Sequence, residues 1–190
     1  LSAVRIDTLP TAGTLTLTGT AVTAGQVITT ADLAASQLVF TPAANANGTG
    51  YARVAFSVRD STSLYDPTPN TLTVNVTAVN DRPTDLSLSA NMVAENAANG
   101  TVVGTVSGTD PDAGDTKSYS LTNTAGGRFA INRTTGALTV ANSTLLNYEA
   151  ATSHAVTVRV TDRGGLTYDE TFTINLTNVN EAPSGTNATV

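Results

Sequence analysis

The chain contains no cysteine and no tryptophan, and only one histidine, one methionine and one lysine among its 190 residues. Each absence closes off a function. Without cysteine there is no disulfide frame, no thiol nucleophile and no thiolate zinc site. One histidine, His154, gives no His-rich metal set and no ground for arguing a Ser–His–Asp relay. It precedes an alternating stretch and is expected at the surface. Charged residues are scarce, at 13% against about 25% in an average globular domain. The net charge is −6, and the nine basic residues are scattered. No basic patch can hold phosphates, so nucleic acid is not an expected partner. Aromatics at 5% leave no platform for stacking sugars, so paired carboxylates do not read as a glycosidase. No apolar run approaches the ~18 residues of a membrane span. No leader and no initiator Met stand at the N-terminus, so the sequence reads as a piece of something longer. A non-enzymatic protein is expected.

What fills the space is threonine, valine, asparagine and glycine in period-two alternation. TLTLTGT (14–20), YARVAFSV (51–58), TLTVNVTAV (71–79), TVVGTVSGT (101–109), HAVTVRVTD (154–162) and TFTINLTNV (171–179) read as half-buried strands. ANANGTG (44–50) and NTAGGR (123–128) are turn clusters, and TTADLAAS (29–36) is the one candidate for a short helical turn. Regular strand and turn spacing predicts antiparallel β-sandwiches. The length suits two of them.

The sequence also repeats. FSVRDSTSLYDPTPNTLTVNVTAVNDRP (56–83) aligns with VRVTDRGGLTYDETFTINLTNVNEAP (158–183). In each copy a strand ends in Asp (Asp60, Asp162), a long last strand follows, and V-N-D/E-x-P closes the unit. The residue before proline is biased toward extended backbone, which marks a connection. Expected boundaries are a divergent sandwich over 1–80, a linker over 81–83, a second sandwich over 84–183, and the start of a further module or tail over 184–190. Residues 1–80 contain no Glu, and the first strand of that sandwich is expected to be partly cut off.

Carboxylates crowd into TDPDAGD (109–115) although charge is sparse elsewhere. Calcium takes six to eight oxygens from carboxylates, amides and carbonyls. No single loop here supplies that many, so separated segments must converge. Asp110 and Asp112 alternate around Pro111, Asp162 ends a strand, and Asn80 and Asp81 sit in the linker. Glu95 follows the first strand of the second half, and Glu149 lies in LLNYE (145–149). An Asp-rich turn taken alone is more often simply solvated.

AEN (94–96), TDPDAGD, FAINRTTGALTV (129–140), LLNYE, VRVTDRGG (158–165) and NVNEAP (178–183) resemble, in order and spacing, the signatures of a cadherin repeat. LPTAGTLTLTG, VTAGQVITTADL, LVFTPAANANGTG and VNDRP resemble the cadherin-like repeats of large bacterial RTX-type adhesins. The resemblance implies an all-β fold of Greek-key sandwiches (cadherin/Ig-like) joined end to end, with calcium at the junctions. An upper junction would use Asn80, Asp81, the Arg82 carbonyl, Asp110, Asp112, Asp162 and, in a shortened loop, Asp115. It would hold fewer than three ions, with one the favoured number. A lower junction would use Glu95, Asn147, Glu149, Asn178, Asn180 and Glu181. There Asn147, Asn178 and Glu181 replace the family's usual aspartates, so a weak or incomplete site is expected. The implied function is a calcium-rigidified extender of a bacterial surface or secreted adhesin, active in adhesion or biofilm formation. Its partners would be neighbouring modules of the same chain, and it would be monomeric and not inserted in a membrane. The alternative is a calcium-dependent glycan- or protein-binding module; homophilic adhesion stands third.

Overall fold

In the computed structural model, residues 1–182 are described. Alternation becomes strand wherever one face can be buried, and the chain divides into two units, Leu1–Val79 and Asn80–Val190. The first unit carries β1 (Ala3–Ile6), β2 (Thr14–Leu17), β3 (Thr20–Ala21), β4 (Val27–Thr29), α1 (Thr30–Ala34), β5 (Leu38–Thr41), β6 (Gly48–Arg59) and β7 (Asn70–Val76). The second carries β8 (Asp85–Leu88), β9 (Met92–Ala94), β10 (Val102–Thr109), β11 (Ser118–Asn123), β12 (Phe129–Ile131), β13 (Ala137–Val140), β14 (Ser153–Thr161) and β15 (Thr167–Thr177). A single 3-10 turn, Ser143–Leu145, precedes β14. The fold is all-β, as the alternation predicts. The expected tail at 184–190 lies outside the described residues.

In the first unit a sheet ordered β4-β1-β6-β7 faces a smaller one ordered β3-β2-β5. Ile6, Val22, Ile28 and Val54 are buried between them, with Leu15, Leu38 and Phe56 packed alongside. The short helix foreseen at 29–36 is α1. Its start is fixed by a capping box in which the Thr29 hydroxyl accepts from the Asp32 N–H and Asp32 accepts from the Thr29 N–H.

The second unit is a four-on-four sandwich, β12-β13-β10-β8 against β11-β14-β15-β9. Phe129, Leu138, Val140, Val156, Ile174 and Leu176 fill one part of its core. Leu86, Val106, Val158 and Val160 fill the other. The β14–β15 hairpin is its longest pairing, running from Ser153↔Asn175 to Thr161↔Thr167. At its turn the Asp162 N–H donates to the Leu166 carbonyl and the Leu166 N–H donates back to Asp162 Oδ1. At the opposite end β9 pairs in parallel with β15 as far as Ala94↔Thr177. Glu95 and Asn178 therefore leave the sheet together. On the first end β8 pairs with β10 at Asp85↔Thr109, which brings the segment before β8 beside Asp110.

His154 corrects an expectation. It is half-buried rather than at the surface, and its Nε2 is fully buried with no hydrogen-bond partner. The register explains this: His154 faces Ile174 and shares the inward side of β14 with Val156, Val158 and Val160. Its ring lies 6.4 Å from that of Phe129. Burial, and after it the charge of Arg128, pushes the imidazole below its ordinary value of 6.5. The folded unit thus favours the neutral ring. Its contribution to stability is fully present above 6.5 and falls away as pH drops below that value. Unfolding of the second unit, followed by NMR in urea, should show lower stability at about pH 5.5 than at about pH 7.5. His154→Leu should flatten that difference; an unchanged slope in the variant would contradict the assignment.

Candidate metal centre

Two acidic clusters form at the two ends of the second sandwich. At the first, carboxylate oxygens of Asp110, Asp115 and Asp162 lie within 4.8 Å of one another. The loop that delivers them is bent by its own aspartates. The Asp112 N–H donates to Asp110 Oδ1 at 2.8 Å, and the Asp115 N–H donates to the Asp112 carbonyl at 3.1 Å. Asp115 is held in turn: its Oδ1 accepts from the Thr116 N–H at 2.8 Å and its Oδ2 from the Arg163 N–H at 3.0 Å. Asp162 is buried, accepting from the Leu166 N–H at 2.7 Å and from Asn80 Nδ2 at 2.8 Å. Asp112 Oδ2 accepts from the Asp81 N–H at 2.8 Å. Two hydrogen bonds therefore tie the segment leading into the sandwich to its loop and its strand end.

One oxygen in this cluster stands apart. Asp110 Oδ2 is buried and has no hydrogen-bond partner. A buried carboxylate oxygen without a partner is costly. Among the described residues the ion pairs are Arg5–Asp7 and Arg159–Asp169, neither of which reaches this cluster. Three carboxylates close together with no cationic side chain paired to them form a hard, oxygen-only donor set. That is the chemistry calcium selects, so the residues present fit the ion. Burial opposes charge on Asp162. The Asn80 amide and the N–H groups of Leu166, Gly165 and Gly164 outweigh it and hold the carboxyl below its ordinary value.

At the other end Glu95, Glu149 and Glu181 converge within the same 4.8 Å. Glu95 is 1% exposed, although Glu is almost never fully buried without partners. Its Oε2 accepts from the Tyr148 N–H at 2.7 Å and its Oε1 from the Val179 N–H at 2.8 Å. Those two bonds, against the opposing effect of burial, hold its pKa below the ordinary range. Asn178 Nδ2 donates to Glu149 at 2.9 Å, and Asn96 Nδ2 donates to Glu181. Glu149 and Glu181 are exposed.

The structure thus gathers some of the residues read from the sequence and leaves others aside. Asp110, Asp115 and Asp162 meet, with Asn80 bonded to the group and Asp112 one step behind. Asp81 takes part through its backbone N–H, and Arg82 is exposed. In the lower set Glu95, Glu149 and Glu181 meet. Asn178 bonds Glu149, whereas Asn147 Oδ1 accepts from the Ala150 N–H at 2.7 Å and so caps its own turn. Asn180 is exposed. Sequence reasoning missed two positions. Asn96 holds Glu181 from a left-handed backbone with φ of 57°, and an Asn directly after Glu95 was the available signal. Gly164 lies under the Asn80 amide, where an added Cβ would collide with it. A glycine pair in a turn gave no hint of that contact.

Comparison with known proteins finds cadherin-type matches. Residues 90–177 match the cadherin domain. The human protein cadherin-related family member 2 is 34% identical over 116 residues, covering 58% of this chain and 9% of that protein. Cadherin-4 of Caenorhabditis elegans is 30% identical over 116 residues, covering 60% of this chain and 3% of that protein. The chain thus spans less than a tenth of either relative. Among solved structures, human mucin-like protocadherin EC1-2 aligns over 93% of this chain and 84% of its own, with a TM-score of 0.56 at 17% identity. Chicken VE-cadherin EC1-2 aligns over 92% of this chain and 84% of its own, with a TM-score of 0.52 at 17% identity. The structural likeness shows the fold. With the domain match it supports a cadherin repeat in the second unit, an extracellular type of module linked to adhesion.

Gly164→Ala should leave the sandwich folded but move the Asn80 side chain off Asp162. Carbon-detected titration should then show the Asp162 carboxyl rising toward its ordinary 3.8, while Glu95 is unchanged. An unaltered Asp162 titration would mean that Asn80 does not hold it.

Proposed function

We propose that the chain is a calcium-binding extender segment of a cell-adhesion protein. Its carboxylate clusters use the ion to fix the chain segments that enter and leave the second sandwich. The observation that carries this reading is the buried, unpartnered Oδ2 of Asp110, on a side chain whose carboxylate lies within 4.8 Å of those of Asp115 and Asp162. The upper ion would be held by these three, with Asn80, Asp81, Asp112 and the Arg82 carbonyl around them. Glu95, Glu149 and Glu181 would hold a second ion, with Asn147, Asn178 and Asn180 beside them. Neighbouring modules of the same chain are the partners of such a spacer, which works as a monomer. Absence of cysteine and the Thr- and Asn-rich surface support a bacterial adhesin, of the kind used in biofilms, as the setting. The relatives named above come from animals.

The mechanism rests on like charges held close. Asp81 and Asn80 are tied to the sandwich by one hydrogen bond each, to Asp112 and to Asp162. Mutual repulsion among Asp110, Asp115 and Asp162 works against those ties. A bound Ca²⁺ supplies two positive charges and draws on six to eight oxygens at ~2.3–2.6 Å. With their charges balanced, the three aspartates keep the loop, the strand end and residues 80–82 in one arrangement. Backbone freedom at the joint then falls, and a flexible tether becomes a stiff spacer. Each cluster ties segments distant in sequence, so holding it costs conformational entropy that ion binding offsets.

Extracellular calcium modules commonly bind at ~10⁻⁴–10⁻³ M. At about ten times Kd, mass action adds about 1.4 kcal/mol, which for a domain of this size is a rise of roughly 5–10 °C in Tm. Thermal unfolding in EGTA and in millimolar calcium should show that rise in the second unit. Asp110→Ala combined with Asp112→Ala should abolish most of it. Superimposable curves for the wild-type chain would reduce TDPDAGD to a solvated turn and remove the basis of the proposal.

A further inference from the structure

An Asn-Gly pair carries its own chemistry. The glycine amide nitrogen can attack the side-chain carbonyl carbon of the asparagine, because glycine has no Cβ to block the approach or restrict its backbone. The bond from that nitrogen to Cγ closes a succinimide ring, and the side-chain nitrogen leaves as ammonia. Water then opens the ring at either carbonyl. The product is aspartate, or isoaspartate, whose main chain runs through the side-chain carbon and is one methylene longer. Only water is consumed. The chain holds two such pairs, Asn47-Gly48 and Asn99-Gly100.

Both asparagines are exposed, so access to water does not separate them. Hydrogen bonds do. Asn99 Oδ1 accepts from the Ser143 N–H at 2.7 Å, and the Gly100 N–H donates to the Val140 carbonyl at 2.8 Å. Ring closure there must break both bonds. Around the other pair, the Ala43 N–H donates to the Tyr51 hydroxyl and the Gly50 N–H to Asn75 Oδ1. Among the described residues no hydrogen bond reaches the Asn47 side chain. Gly48 has a φ of 143°, and nothing lies within 4 Å of the place a Cβ would occupy. Its pairing with Val76 is the last of the β6–β7 ladder, set off by a register shift between Gly48 and Ala52. A ladder end beyond such an irregularity opens at low cost. The asparagines of the acidic clusters are guarded as Asn99 is. The amides that follow Asn80, Asn147 and Asn178 are those of Asp81, Tyr148 and Val179, and each donates to a carboxylate of Asp112 or Glu95.

We propose that Asn47 is a site of intramolecular deamidation, and that its conversion releases the end of β7. The added methylene of isoaspartate moves Gly48 out of line with Val76, the last residue of β7. A negative charge also enters a stretch with no acid between Asp32 and Asp60. Asn47 lines a cleft of about 200 Å³ together with Thr77 and Val79, so the change is made beside the segment that follows β7. The step is irreversible in water, and the first unit thereby loosens with age at one defined place. This inference is independent of the calcium reading.

The test ages the whole chain in EGTA at mildly alkaline pH, both native and in urea. Peptide mapping with fragmentation, and labelling by an isoaspartyl methyltransferase, locate the products. In urea the two Asn-Gly pairs should convert at similar rates. In the native chain Asn47 should convert at least about tenfold faster than Asn99, whose two hydrogen bonds must open first. Amide exchange at Val76 should then be faster in the aged chain than in fresh protein. Aged Asn47→Gln, whose longer side chain does not close the same ring, should keep the fresh rate. Native conversion at Asn47 no faster than at Asn99 would overturn the proposal. So would unchanged exchange at Val76 in chains converted at Asn47.

Discussion

The β14–β15 hairpin is the constraint on which the second unit turns. Nine residue pairs from Ser153↔Asn175 to Thr161↔Thr167 fix the register of two strands whose inward residues form the middle of the core. In a sheet a one-residue slip would turn every one of those side chains outward. Val156, Val158, Val160, Ile174 and Leu176 are all buried, so the register is held by hydrophobic burial along its whole length. Both acidic clusters follow from it. Asp162 sits at the hairpin's turn, while Glu149 precedes β14 and Asn178 follows β15 at the other end. The separation of the two clusters is the length of the hairpin.

Strand ends are where a sandwich can gather polar groups without opening its core. Each cluster draws on three separated stretches of chain and uses backbone N–H groups to aim the carboxylates. Asp162, Asp115 and Glu95 accept from main-chain donors that the turns leave unpaired. For Asp162 and Glu95 these bonds favour the charged form, which suits a cation site and makes an apolar substitution there costly. In the lower cluster Glu149 and Glu181 are exposed and rely on the side chains of Asn178 and Asn96, so these two are less tightly fixed than Glu95.

Much of this was readable in the residues. Period-two alternation gave the strands from 14–17 to 167–177, because Thr and Val on a pleated half-buried surface have few other stable arrangements. Spacing within TDPDAGD pointed to Asp110 and Asp112, whereas Asp115, which meets Asp110 and Asp162, entered only through the resemblance, as the residue of a shortened loop. What escaped reading depends on contacts across the fold. The single histidine looked superficial because its alternation phase is visible only once β14 is paired with β15. Gly164 and Asn80 are more than eighty positions apart, and nothing local links them.

The central claim is that the cluster of Asp110, Asp115 and Asp162 binds calcium. It is tested most directly by a calcium titration followed in the ¹H–¹⁵N spectrum of the whole chain. The amides of Asp81, Asp112, Arg163 and Leu166 all donate to carboxylates in or next to that cluster. They should shift together and saturate between submillimolar and millimolar calcium, and Asp110→Asn should suppress the response. If these four amides stay still while calcium is added, or move no more than they do in sodium chloride of equal ionic strength, the cluster is not a calcium site.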